Sequence, residues 1–242
     1  MKNLLSVSLL LVLLFNFSCT AAAQWPTQIK GEGPLIRKTL ELQDINAFSL
    51  MISGNVYLMQ GSSQLVEVEG QANIIDVLNT EVDNQLWKIK FEERVRNISQ
   101  FNIYITVPDL EEITVSGSGD VIGRGNFKAS GNLDIIISGS GNVEMDLQCA
   151  NLRSRVSGSG DIELSGNCDE ADISISGSGS IGGNEFNSKD ASVLISGSGD
   201  VNLNVESYLD VSISGSGDVT YGGQPKVKSR ISGSGGIEHK AF

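Results

Sequence analysis

The chain has 242 residues, of which 28 are Gly, 4 are Pro and 40% are hydrophobic, a composition that supports a packed core and excludes a disordered chain. Its 17 Lys+Arg stand against 29 Asp+Glu, a net charge of −12 that disfavours phosphate backbones and anionic membrane surfaces, so nucleic acid is not an expected partner. One elongated domain or two small ones would fit this length.

Met1, Lys2 and Asn3 precede an apolar run from Leu4 to Phe15 and then Ala21-Ala22-Ala23, the order of a secretory signal. The run is too short to span a bilayer, which takes roughly 20 apolar residues. Residues 1–23 are therefore expected to be a cleaved leader, leaving a soluble form that begins at Gln24 and is exported to the periplasm, the outer-membrane surface or the medium. Lipidation at Cys19 is the rival, weakened by Asn16 where a lipobox expects an aliphatic residue. Loss of the leader removes one lysine, Lys2, and takes the net charge to about −13.

Residues 24–39 read as a linker and 40–115 as an irregular β region that closes one end of the fold. Within it Ile45 to Met51, Val56 to Gln60, Leu65 to Glu69, Leu86 to Glu92 and Phe101 to Val107 have strand chemistry, and Asn73 to Thr80 reads as a short helix or loop. Ile52-Ser53-Gly54-Asn55-Val56 looks like a decayed copy of the turn that recurs from Ser116 onward.

From 116 to 242 the chain is a repeat. Ser-Gly-Ser-Gly begins at Ser116, Ser138, Ser157, Ser176, Ser196, Ser214 and Ser232, at steps of 22, 19, 19, 20, 18 and 18 residues. A period near 19 signals a solenoid whose units bury their apolar faces only by stacking. Before each turn apolar residues alternate with polar ones, as in Leu133, Ile135 and Ile137 around Asp134, the period of a half-buried strand. A second short strand comes after each turn. The expected fold is all-β: a single-chain parallel β-helix, drawn as right-handed, with the N-terminal half as its cap.

Parity places the SGSG glycines inward and the serines outward. Ser138, Ser140, Ser157, Ser159, Ser176, Ser178, Ser196, Ser198, Ser214 and Ser216, beside a column containing Asp161, Asp200 and Asp218, form a candidate ligand face for a glycan or another envelope polymer. The competing reading is that Ser and Asp are turn residues satisfying the backbone. Cys149 and Cys168 occupy equivalent positions in adjacent coils, so a disulfide and two stacked thiols are both open.

No catalytic, cofactor or metal site is expected. The period is wrong for calcium-binding nonapeptides, and one carboxylate per coil supplies few of the oxygens calcium takes. His239 is the single histidine, which argues against zinc sites and His-based triads. Stacked Asp200 and Asp218 leave carbohydrate binding or processing as the alternative to a purely adhesive or structural role.

The Asp44-to-Phe48 entry, Ile52-Ser53-Gly54-Asn55-Val56-Tyr57-Leu58, Val66-Glu67-Val68-Glu69-Gly70, Ile103 to Pro108 and the SGSG coils together resemble the auto-transporter adhesin, head GIN domain family, from about Leu40 to Glu238. The resemblance implies a β-helical exported domain with an adhesin-like role and brings no catalytic residues. No segment after Gly235 is long enough for a membrane barrel.

Overall fold

The computed structural model describes residues 28–241. The expected leader, with Cys19 and Ala23, lies outside the described residues.

The strands, in chain order, begin with β1 (Ile29–Lys30), β2 (Leu35–Leu40), β3 (Ala47–Leu50), β4 (Asn55–Gln60) and β5 (Leu65–Gln71). After helix α1 (Ala72–Ile75) come β6 (Val82–Asp83), β7 (Leu86–Ile89), β8 (Val95–Arg96), β9 (Asn102–Val107) and β10 (Glu112–Val115). The repeat contributes β11 (Val121–Lys128), β12 (Asn132–Ile137), β13 (Val143–Val156), β14 (Ile162–Ile175), β15 (Ile181–Ile195) and β16 (Val201–Gly215). It ends with β17 (Val219–Gly223), β18 (Lys226–Gly233) and β19 (Ile237–His239).

Apart from β1 and β8, which pair with each other in a separate two-stranded sheet, these form one sheet coiled as a β-solenoid with two parallel ladders, one before each SGSG turn and one after it. β13 to β16 each run for 14 or 15 residues because one strand rounds the rear corner and serves both ladders. Ile135, Ile137, Val143, Met145 and Leu147 alternate with exposed or half-exposed neighbours and fill the space between the ladders. The expected inward and outward parity therefore holds.

The uneven steps are absorbed locally without loss of register. In the 22-residue step, Ile122 lies opposite Glu144 but Asn126 lies opposite Asp146, so residues 123–125 face one residue and two extra residues form a bulge. The third extra residue widens the corner at Ser130-Gly131, where the Ser130 amide donates to Asp109 Oδ1 at 3.1 Å and the hydroxyl donates to Oδ2. Burial raises the Asp109 carboxyl pKa, but these bonds and the Leu110 amide outweigh it and hold it below the usual range.

At the N-terminal end chain order and spatial order part. β3 sits between β7 and β10, and β4 sits between β9 and β11. The coil formed by residues 86–107 thus stacks outside the coil formed by 47–60, and the chain then passes to the other side to begin the repeat. Beyond β9 the sheet continues through antiparallel β5 and β2. The segment expected as a linker therefore contributes β1 and β2; the latter pairs along all six residues with Gln71 to Val66 of β5. Its side chains are mostly exposed, so Leu35-Ile36-Arg37-Lys38 shows no buried alternation from which a strand could be read. Lys38, on the inward parity, forms an ion pair with Asp76 at 3.2 Å, and an inward charge of this kind disfavours further strand addition.

Two buried serines of the repeat, Ser154 and Ser188, break the apolar pattern, and Ser188 donates to the Asn204 carbonyl at 3.3 Å. Ser154 lies between Ile135 and Ile173 in the ladder, is fully buried, and its hydroxyl has no partner among the described residues. An unsatisfied buried hydroxyl carries a desolvation cost, so Ser154→Ala is expected to stabilise the protein by about 1 kcal/mol. A lower or unchanged urea midpoint would contradict this.

Candidate functional site

The SGSG edge is a third side of the coil, built by backbone contact. Ser138 and Ser140 amides donate to the carbonyls of Val115 and Gly117, and the next coil repeats this with Ser157 to Ile137 and Ser159 to Gly139. With the amides turned along the axis, all fourteen SGSG serine side chains are exposed. Among the described residues none of their hydroxyls bonds to another protein group. They form two free columns at the coil spacing of about 4.8 Å.

The neighbouring aspartates behave differently. Asp161 Oδ1 accepts the Ser180 amide at 2.7 Å, Asp200 Oδ1 accepts the Asp218 amide at 2.8 Å, and Asp218 Oδ1 accepts the Gly236 amide at 2.6 Å. Asp120 and Asn142 hold the amides of Asn142 and Asp161 in the same way. This is turn chemistry directed at the next coil instead of the residue's own backbone, and it leaves one carboxylate oxygen of each aspartate uncommitted. The expected ligand face thus resolves into serines without a structural bond and acids with one.

Cys149 and Cys168 lie opposite each other in register, both buried, with their sulfurs joined and their Cα atoms 4.9 Å apart. They point inward and take no part in the outer surface.

Two further surface features stand out. On the outer face before the turns, a groove of about 560 Å³ crosses several coils between Asp134, Glu170, Asp172, Asp190 and Asp210. Arg153 bridges within it to Asp134 at 3.2 Å and Asp172 at 3.9 Å, an exposed ion ladder of modest worth. No cluster of three or more candidate metal ligands occurs among the described residues.

The second feature interrupts the coil pattern. Tyr57 and Tyr104 stack at 5.2 Å, with the Arg37 guanidinium 4.0 Å from the Tyr104 ring and that of Arg124 4.8 Å from the Tyr57 ring. Tyr104 donates its hydroxyl to Glu69 at 2.8 Å, a bond that, with burial, raises its pKa above the ordinary phenol value. These residues border a recess of about 280 Å³. Sequence reading misses this group because its members come from β2, β4, β9 and β11. The available signals were the long first step of the repeat and two tyrosines at outward parity.

A family profile described as "Putative auto-transporter adhesin, head GIN domain" matches residues 47–225. The structure is similar to that of a putative adhesin from Bacteroides fragilis, 27% identical with a TM-score of 0.83, the match covering 88% of this chain and all 100% of that one. It is also similar to a putative lipid binding protein from Parabacteroides distasonis, at 25% identity and a TM-score of 0.74 over 88% and 100% of the two chains. A putative adhesin from the same species, at 24% identity and a TM-score of 0.72 over the same shares, supports the fold alone. No curated protein matches the sequence significantly.

Proposed function

Because the chain belongs to the "Putative auto-transporter adhesin, head GIN domain" family, we propose that it is an exported, non-catalytic adhesive protein of a cell envelope that contacts a repeating polymer through its SGSG edge. The observation that carries this reading is the pair of exposed serine columns whose hydroxyls make no bond to another protein group among the described residues. Backbone turn chemistry accounts for the aspartates, which hold amides, but leaves those hydroxyls unexplained. A ladder of donors and acceptors at fixed spacing suits a glycan or other envelope polymer with its own repeat, since many weak contacts then act together.

Carbohydrate processing has less support. Asp200 and Asp218, the stacked pair on which this alternative rests, lie on the exposed SGSG turn edge and each accepts an amide hydrogen. A hydrolytic pair would instead flank a substrate within a cleft.

The test is solid-phase binding to a panel of envelope polysaccharides with Ser157→Ala, Ser159→Ala, Ser176→Ala and Ser178→Ala combined. Four lost contacts of about 0.5–1.5 kcal/mol each predict at least about tenfold weaker binding, with an unchanged urea midpoint. Undiminished binding by the fourfold variant, or no binding by the wild type to any polymer, would remove the serine edge as the contact surface.

A further inference from the structure

Resting on the adhesive reading, we infer that the recess beside the stacked tyrosines is a separate subsite for a carboxylated sugar at the end of a short acidic glycan. Along the outer face after the turns, Glu163 and Glu144 lie in register with Ile122, and then with Tyr57 and Tyr104. The acidic column thus gives way to an aromatic pair at the end where the coils change order. The two-residue bulge in β11 delivers Arg124 to the same place between Gly123 and Gly125, and Gly125 has a φ of +82° that favours glycine.

The two guanidiniums differ in their state. Arg37 is paired with Glu67 at 2.8 Å, whereas Arg124 makes no ion pair with an acid among the described residues. In a chain of net charge −12, an exposed arginine held over a ring without a carboxylate partner is a place for an outside anion. The floor supplies the rest. Met59 and Leu65 are 50% and 46% exposed and offer aliphatic surface to the C–H face of a sugar ring, while Thr106 and Glu67 on the same lining offer hydrogen-bonding groups to its hydroxyls. A carboxylated sugar uses all three kinds of group, whereas a neutral sugar leaves the guanidinium without a counter-charge.

Charge also limits how much of a glycan can extend beyond the recess. Residues 129–225 carry 14 Asp+Glu against 3 Lys+Arg, so the solenoid body repels a long polyanion laid along it. An acidic glycan is accepted by its end, at the N-terminal end of the solenoid.

The test is calorimetric titration of the full chain with trigalacturonate, neutral galactotriose and decanoate. Saturable binding of trigalacturonate alone is expected, weakening as salt rises. Arg124→Ala should weaken it at least about tenfold without changing the urea midpoint, since the side chain sits on an exposed bulge. The fourfold serine variant should bind trigalacturonate as the wild type does, so that failure of the serine edge and failure of this subsite are told apart. Absence of trigalacturonate binding, equal binding of galactotriose, indifference to Arg124→Ala, or a preference for decanoate would each overturn the assignment.

Discussion

Gly160→Ala is expected to lower stability by more than about 3 kcal/mol, read as a large fall in the urea midpoint. A Cβ on Gly160 would lie 2.0 Å from the Gly141 carbonyl oxygen and 3.0 Å from Ile137 Cγ2. The obstacle is backbone, which cannot swing aside like the end of a side chain. Nor can the coil shift along the axis, because a Cβ on Gly179 would meet the Gly160 oxygen at the same 2.0 Å and the turns above and below are equally close. Gly131→Ala is the control: apart from its chain neighbours, no atom of the described residues lies within 4 Å of its added Cβ, and the effect should stay within about 0.5 kcal/mol. Comparable losses at the two positions would mean that chain entropy, not close approach, explains the repeated glycines.

This contact also explains how the glycines could be read from sequence only in part. Parity correctly puts Gly141 and Gly160 on the inner side, but unusual dihedrals, the other reason glycine recurs at corners, do not apply at either of them. Among the SGSG glycines a left-handed φ occurs only at Gly215 and Gly233. What excludes a side chain elsewhere is the neighbouring coil, a property of the stack.

The same distinction separates what was legible from what was not. Strand parity around Ile135 and Val143 and the stacking of Cys149 on Cys168 come from a local pattern repeated at one period, so the sequence displays them directly. The position of β3 between β7 and β10 depends on which of several similar apolar edges pair, and no period encodes that choice. The Arg37, Tyr104, Tyr57 and Arg124 group depends on this changed order, on an edge strand without alternation and on a bulge. Residue type made the aspartates recognisable as turn residues, while the destination of their bonds, the amide one coil away, needed the stack.

Reducing the Cys149–Cys168 bond is expected to cost about 3 kcal/mol while leaving the fold in place. The bond joins residues 19 apart and closes one turn of the solenoid, so its main effect falls on the unfolded chain, which loses the freedom of a whole coil. In the folded protein β13 and β14 already pair in register on both sides of it, from Val143 with Ile162 to Val156 with Ile175, and this pairing does not need the sulfur link. Both cysteines are buried, so reductant should act through opening of the coil, and reduced thiols still fill the same inward column. Urea unfolding with and without reductant measures the difference, and a double Cys→Ala variant should lose somewhat more because it also removes buried volume. Thiol titration of the unfolded, unreduced protein should find neither Cys149 nor Cys168 reactive. Two reactive thiols, or identical midpoints with and without reductant, would show that the column is held by packing alone.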